Sequence, residues 1–236
     1  MTPEEKYKEI ERLFKRLSDE MCRVVQSFYI WESLVFSRSI IEAGEEQAKK
    51  NVEIMSFHKD FFNQTEDSHL TTFIIGISKF YDRNPKSLTL NTIIEKMREY
   101  QKDITAETLM NVYPNRFNKE ELRFNYKSFD ERDINGIDVL WQDNKRIADN
   151  LRAIRNKRIA HNNIELIEIT FVPKEVEKFI GDTQEIFNKL QGRFSEASTT
   201  WNHMKEDAER DTSTLLENLI RGEKQRKDEI KRQYNS

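Results

Sequence analysis

The chain has 236 residues, enough for one large domain or two small ones, and its 34% charged and 36% hydrophobic residues with six glycines and four prolines favour long amphipathic helices over a turn-rich sheet protein. A net charge of -3 excludes coating of nucleic acid by the whole surface, so any such contact has to be local. The single cysteine, Cys22, excludes an internal disulfide and a cysteine-based zinc site and fits a reducing compartment.

The opening MTPEEKYKEIERLFKRL is charged and lacks the uninterrupted apolar core of a signal peptide. No later run of about 18 apolar residues is present to span a bilayer. A cytoplasmic, soluble protein with no membrane partner is expected. Tyr7, Ile10, Phe14, Leu17, Met21, Val24, Phe28, Trp31 and Val35 then follow at alternating spacings of three and four, which predicts one long N-terminal helix with a seam for core packing or dimerisation. Leu13, Val25, Tyr29, Ile30, Leu34 and Phe36 widen the stripe in its second half and predict burial on more than one side there.

Next come a helix around Ser68 to Tyr81, a turn at Asp82-Arg83-Asn84-Pro85, and a helix after Thr89 carrying Ile93, Ile94, Met97 and Tyr100. From Asn111 to Asn135 the periodicity is lost, and residues 111–135 read as a long connection or insertion with one short helix. Helix signals resume at Gly136 and run through Val139, Leu140, Ile147, Leu151 and Ile154 to a cap at Asn162-Asn163. Pro173 opens a C-terminal helix whose seam is Phe187, Leu190, Phe194, Ala197, Trp201, Met204 and Ala208, suited to pack on the N-terminal seam. Asp211 or Thr212 caps a further short helix ended by Gly222, and 223–236 reads as a charged, solvated helical tail. The expectation is an all-α helical bundle with long N- and C-terminal helices, one domain over 1–222.

Charge is concentrated in one place. From Lys145 to His161 there are six lysines or arginines and one acid, Asp149. On a regular helix of 100° per residue, Arg155, Arg158 and His161 fall within roughly 60° of the face set by Ile147, Leu151 and Ile154. A guanidinium beside an apolar stripe needs an anion, either a protein carboxylate or a bound phosphate. A solvated face, with cations complementing the helix C-terminus, is the plainer reading of the charge alone.

The spacing says more. In RNKRIAH, Arg155 is followed by the polar Asn156 and, after four more residues, by His161. His58, His69 and His203 have no arginine at that distance. The element resembles the arginine-to-histidine signature of HEPN (higher eukaryotes and prokaryotes nucleotide-binding) domains. IRNKRIAH (Ile154 to His161), ISKFYD (Ile77 to Asp82), VEKFIGDTQEIFNKL and DTSTLLENLI together resemble the abortive-infection U-type branch of that family, from about His58 onward. Lys79 stands where arginine is frequent in the branch, and residues 111–133 fit it least.

The resemblance implies a HEPN-like bundle and a metal-independent endoribonuclease acting as a toxin or phage-defence effector, with RNA as substrate, a homodimer that unites two motifs in one cleft, and a cognate antitoxin as partner. No cofactor is expected. The sequence is compatible with this, for it has no HExxH, cysteine cluster or carboxylate array of metal-site spacing. For that chemistry Arg155 is the phosphate clamp, His161 the general acid/base and Asn156 an orienting group. Arg152, Lys157 and Arg158 add RNA-backbone affinity, and Lys79 and Asp82 support the site, or simply pair with each other across one helix turn. Two rivals stand beside it: a non-catalytic helical dimer that binds RNA, nucleotide or a partner protein through the same motif, and a coiled-coil scaffold without a ligand.

Overall fold

A computed structural model describes residues 1–82, 84, 87–160, 172–201 and 203–234, apart from the side chains of 158–160 and 173. The described residues are predominantly helical and contain no strand, so the fold is all-α. Helix α1 (Pro3–Phe36) spans 34 residues. Its start is fixed by a reciprocal cap in which Thr2 Oγ1 accepts from the Glu5 amide and Glu5 Oε2 accepts from the Thr2 amide. Its seam is buried from Tyr7 through Phe28, and Trp31 and Val35 are half-buried.

The remaining elements are α2 (Ile40–Ala43), α3 (Glu45–Phe57), α4 (Lys59–Phe80), α5 (Leu90–Glu99), α6 (Ala106–Val112), α7 (Lys119–Asn125), α8 (Glu131–Ile154) with a π-helical turn at Arg155–Ala160, α9 (Pro173–Ser195) and α10 (His203–Tyr234). They group into two compact units. One comprises Met1–Arg23 and Ile74–Trp201, the other Val24–Phe73 and Asn202–Ser236.

In the first unit the two seams do meet. Phe194 of α9 stacks on Tyr7 at 4.3 Å and on Phe14 at 5.0 Å, and Phe187 meets Phe14 edge-on at 5.6 Å; such pairs contribute beyond their buried area. Polar ties align α8 with α9: Arg193 bonds Asp133 at 2.9 Å, and buried Asn144 donates to Asp182 at 3.0 Å. In the second unit Leu34, Ile54, Met55, Phe62 and Leu216 form the core.

Several boundaries differ from the sequence reading. Residues 45–57 form α3, outside the helices expected from the sequence, with Ala48, Asn51, Ile54 and Met55 on its buried face. The 111–135 segment does hold one short helix, α7, but α8 begins at Glu131 rather than Gly136, because Asp130 and Asp133 make a capping box. The C-terminal seam is not one helix. At Glu196 the backbone turns left-handed (φ 54), and Asn188 bonds both the amide and the carbonyl of Thr199. This folds Trp201 back onto Phe187 at 5.8 Å. Nor does Gly222 end a helix: α10 continues to Tyr234, and Glu223 pairs with Arg226 and Lys227 in the turn that follows the glycine.

Candidate functional site

The site is assembled where the C-terminal end of α4 meets the end of α8. Tyr81, immediately after α4, is buried with its ring against Trp141 at 4.7 Å and Phe179 at 5.0 Å. Its hydroxyl bonds Thr183 of α9 at 2.8 Å, and burial pushes its ionisation well above the ordinary phenol value. The Tyr81 carbonyl accepts a 2.8 Å bond from Arg152 Nη2, while Arg152 Nη1 pairs with Asp149 at 3.0 Å. Three helical contacts and one guanidinium therefore fix the backbone from which Asp82 projects.

One turn beyond Arg152, Arg155 begins the π-helical turn. Its Nη1 lies 3.8 Å from Asp82 Oδ2, and the two side chains are 23% and 32% exposed. This separation is an ion pair longer than a hydrogen bond, and it leaves guanidinium N–H groups for another acceptor. Arg155 Nε donates to Asn156 Oδ1 at 3.1 Å. With Nε engaged by Asn156, the Nη groups remain available to a further acceptor.

These groups open on a cleft of about 560 Å³ whose cations are Arg16, Arg23, Lys79 and Arg155 and whose carboxylates are Asp19, Glu20 and Asp82. Lys79 and Asp82 do line the site together, but not as a mutual pair: Lys79 reaches Glu20 of α1 at 3.7 Å and Asp82 faces Arg155. Glu20 also bonds Arg23. The α1 residues were missed in the sequence, although Arg16, Asp19, Glu20 and Arg23 occupy the polar stripe between seam positions Leu17, Met21 and Val24.

The other sequence-predicted residues are spread over different environments. Lys157 is exposed on the π-helical turn. Arg152 is turned into the protein toward the Tyr81 carbonyl. The π-helical turn replaces the regular geometry assumed for the motif, since its bonds run i→i+5 and change the angular step per residue. His161, the Asn162-Asn163 cap and the side chain of Arg158 lie outside the described residues, as do Arg83 and Pro85 of the turn after α4. Among the described residues no group of three or more histidine, cysteine or carboxylate side chains is arranged to hold a metal ion. No helix of the described residues is long and apolar enough to cross a membrane.

The all-α fold, with Arg155 of the Arg-Asn element lining a charged cleft, is compatible with the HEPN class. The family model HEPN AbiU2 matches residues 7–215. The chain therefore belongs to the AbiU2 family of HEPN proteins, in agreement with the resemblance drawn from its motifs. Comparison with curated proteins gave no match, and comparison with solved structures gave none either.

Proposed function

We propose that the protein is a metal-independent endoribonuclease of HEPN type and a toxin or phage-defence effector. The observation that carries this reading is the geometry of Arg155: oriented through Nε by Asn156, poised at 3.8 Å from Asp82, and facing a cleft large enough for a phosphodiester.

In the proposed reaction a ribose 2'-hydroxyl loses its proton to a base and attacks the adjacent phosphorus. The new P–O2' bond forms as the P–O5' bond breaks. The departing 5'-oxygen takes a proton from an acid, leaving a 2',3'-cyclic phosphate and a 5'-hydroxyl end. His161 serves as the acid/base, and the two proton transfers call for two such groups, which a homodimer with a composite cleft supplies. Arg155 binds the scissile phosphate and stabilises the added negative charge of the phosphorane. Asp82 keeps the guanidinium in register before RNA arrives and yields to the phosphate, whose charge-assisted bonds are shorter and stronger than a 3.8 Å contact. Lys157 and Arg158 add affinity for the flanking backbone.

The test is incubation of a mixed RNA substrate in EDTA with wild-type protein and His161→Ala, with analysis of product 3' ends. Cleavage leaving 2',3'-cyclic phosphate that disappears in the folded variant supports the reading. RNA binding without cleavage, or equal activity in both proteins, sinks it in favour of a non-catalytic module that binds RNA, nucleotide or a partner protein.

A further inference from the structure

A second cleft, of about 510 Å³, lies along α1 beside the first and shares Asp19 with it. Its cations are Arg12, Lys15 and Arg116, and its carboxylates are Glu11 and Asp19. Taken together the two clefts present seven cations against four carboxylates, in a chain whose acids outnumber its bases, 42 to 39.

The pairing is as informative as the count. Glu11 accepts from the Tyr113 hydroxyl, Glu20 is taken by Arg23 and Lys79, and Asp82 by Arg155. Arg12, Lys15, Arg16 and Arg116 are exposed and make no ion pair among the described residues. The guanidinium of Arg116 lies over the rings of Tyr113 at 5.4 Å and Phe117 at 5.2 Å. Stacking uses the face of the guanidinium and leaves its N–H edge free to meet an anion. Arg12, Lys15, Arg16 and Arg23 recur at helical spacing on the polar side of α1, so the row runs along about 16 Å of helix axis.

We propose that Arg12, Lys15 and Arg16, with Arg116, form a phosphate track that carries a single RNA strand along α1 into the cleft of Arg155. The proposal rests on the ribonuclease reading for its choice of polyanion. One row of cations, continuous with a cleft that holds a phosphate clamp, matches the single row of charges on one strand. The exposed ends of the three α1 cations carry no structural load, because the buried side of α1 is its seam, and their replacement leaves the fold intact.

The experiment uses the full chain in EDTA, in a His161→Ala background that prevents turnover. A labelled single-stranded RNA oligonucleotide is titrated at salt from roughly 50 to 200 mM. The triple variant Arg12→Gln, Lys15→Gln, Arg16→Gln is compared with a charge-matched control on α10, Lys224→Gln, Lys231→Gln, Arg232→Gln. Loss of three phosphate contacts raises Kd on the order of 100-fold at 0.1 M salt and flattens the slope of log Kd against log salt by about 2. The control stays within about twofold of the parent, as expected for cations that touch no phosphate. Equal loss in track variant and control, or no loss in the track variant, overturns the track.

Cleavage by the chain with His161 intact separates this inference from the one it rests on. If that chain cleaves RNA while the track variant binds as before, the track falls and the nuclease stands. If it does not cleave yet the track variant loses RNA, the nuclease falls and the track stands. No affinity for RNA in any form overturns both.

Discussion

The two parts of α1 meet opposite electrostatic surroundings. Up to Arg23 the helix buries one seam and shows Arg12, Lys15, Arg16 and Arg23 to clefts rich in cations. From Val24 onward it buries Val24, Val25, Phe28 and Leu34 together with Ser27 and Glu32, as the widened apolar stripe foretold. The second unit has its own cleft, of about 470 Å³, lined by Glu32, Glu42, Glu209 and Glu217, with Ser33, Ser37 and Thr212 and without a lysine or arginine in its lining. A polyanion is attracted to the first kind of cleft and repelled by the second. A net charge near zero thus says little about whether a helical protein can hold RNA; the partition of charge between its faces says much more.

The largest expected effect tests the packing that builds the cationic unit. Phe194 is 2% exposed and stacks on both Tyr7 and Phe14. Phe194→Ala is expected to cost about 3–5 kcal/mol in chemical denaturation, with the same loss in the far-ultraviolet and the tyrosine fluorescence signals. A cost under about 1 kcal/mol means the seam is not the core of this unit. Next in size, in the proposed nuclease Arg155→Ala is expected to slow RNA cleavage by about 10²–10³-fold, the usual consequence of losing a donor aimed at transition-state charge. Glu217→Gln in the acidic cleft of the other unit leaves the initial rate as it was. Equal losses in the two variants remove the contrast between the clefts.

What the sequence revealed of this arrangement follows from the range of each interaction. Caps and seams act within a few residues, so Thr89, which accepts from the Thr92 amide at 3.1 Å, and the run from Tyr7 to Phe28 were readable. The break after Ser195 was hidden because Ala197 and Trp201 preserve the three-four spacing while the chain reverses. The better signal was composition: SEASTT holds five residues other than alanine, four of them serine or threonine, which favour turns over helix interiors. At the candidate site, Arg155 and Asn156 were singled out by their spacing to His161. The partnership of Arg155 with Asp82 was legible only as two separate candidates, since 73 positions part them. The bond from Arg152 to the Tyr81 carbonyl was not legible at all, because a backbone acceptor carries no residue identity.

That bond gives the next prediction. The sequence assigned Arg152 to RNA, whereas its guanidinium joins Asp149 to the end of α4. Arg152→Met keeps the packing of the stem and removes both bonds, at an expected cost of about 1–2 kcal/mol. If Arg152 positions Asp82 and Arg155, the variant melts at lower temperature and cleaves about tenfold more slowly while its salt slope for RNA is unchanged. A direct phosphate contact instead flattens the slope by about 0.7 without lowering stability. The Thr89→Ala substitution is smaller and purely structural, about 1 kcal/mol for loss of the cap of α5, measured by thermal melting.

The smallest effect separates the two units by pH. Burial of His69, on α4 within the second unit, holds its imidazole below the ordinary histidine value. The folded chain therefore takes up this proton at lower pH than the unfolded chain does. Well above about pH 6.5 neither state is appreciably protonated and His69 contributes no slope. As pH falls below that value, the unfolded state gains the proton first, and stability declines until the folded imidazole is protonated too; below that point the loss is constant. His69→Gln is expected to flatten the stability profile below about pH 6.5 in denaturation titrations. In the proposed nuclease His161 governs the pH dependence of cleavage from the first unit, so the same substitution leaves the pH–rate profile in place. A shift of that profile by His69→Gln means that the acidic unit and the cationic one titrate together, and the division of labour between the two parts of α1 then does not extend to their proton chemistry.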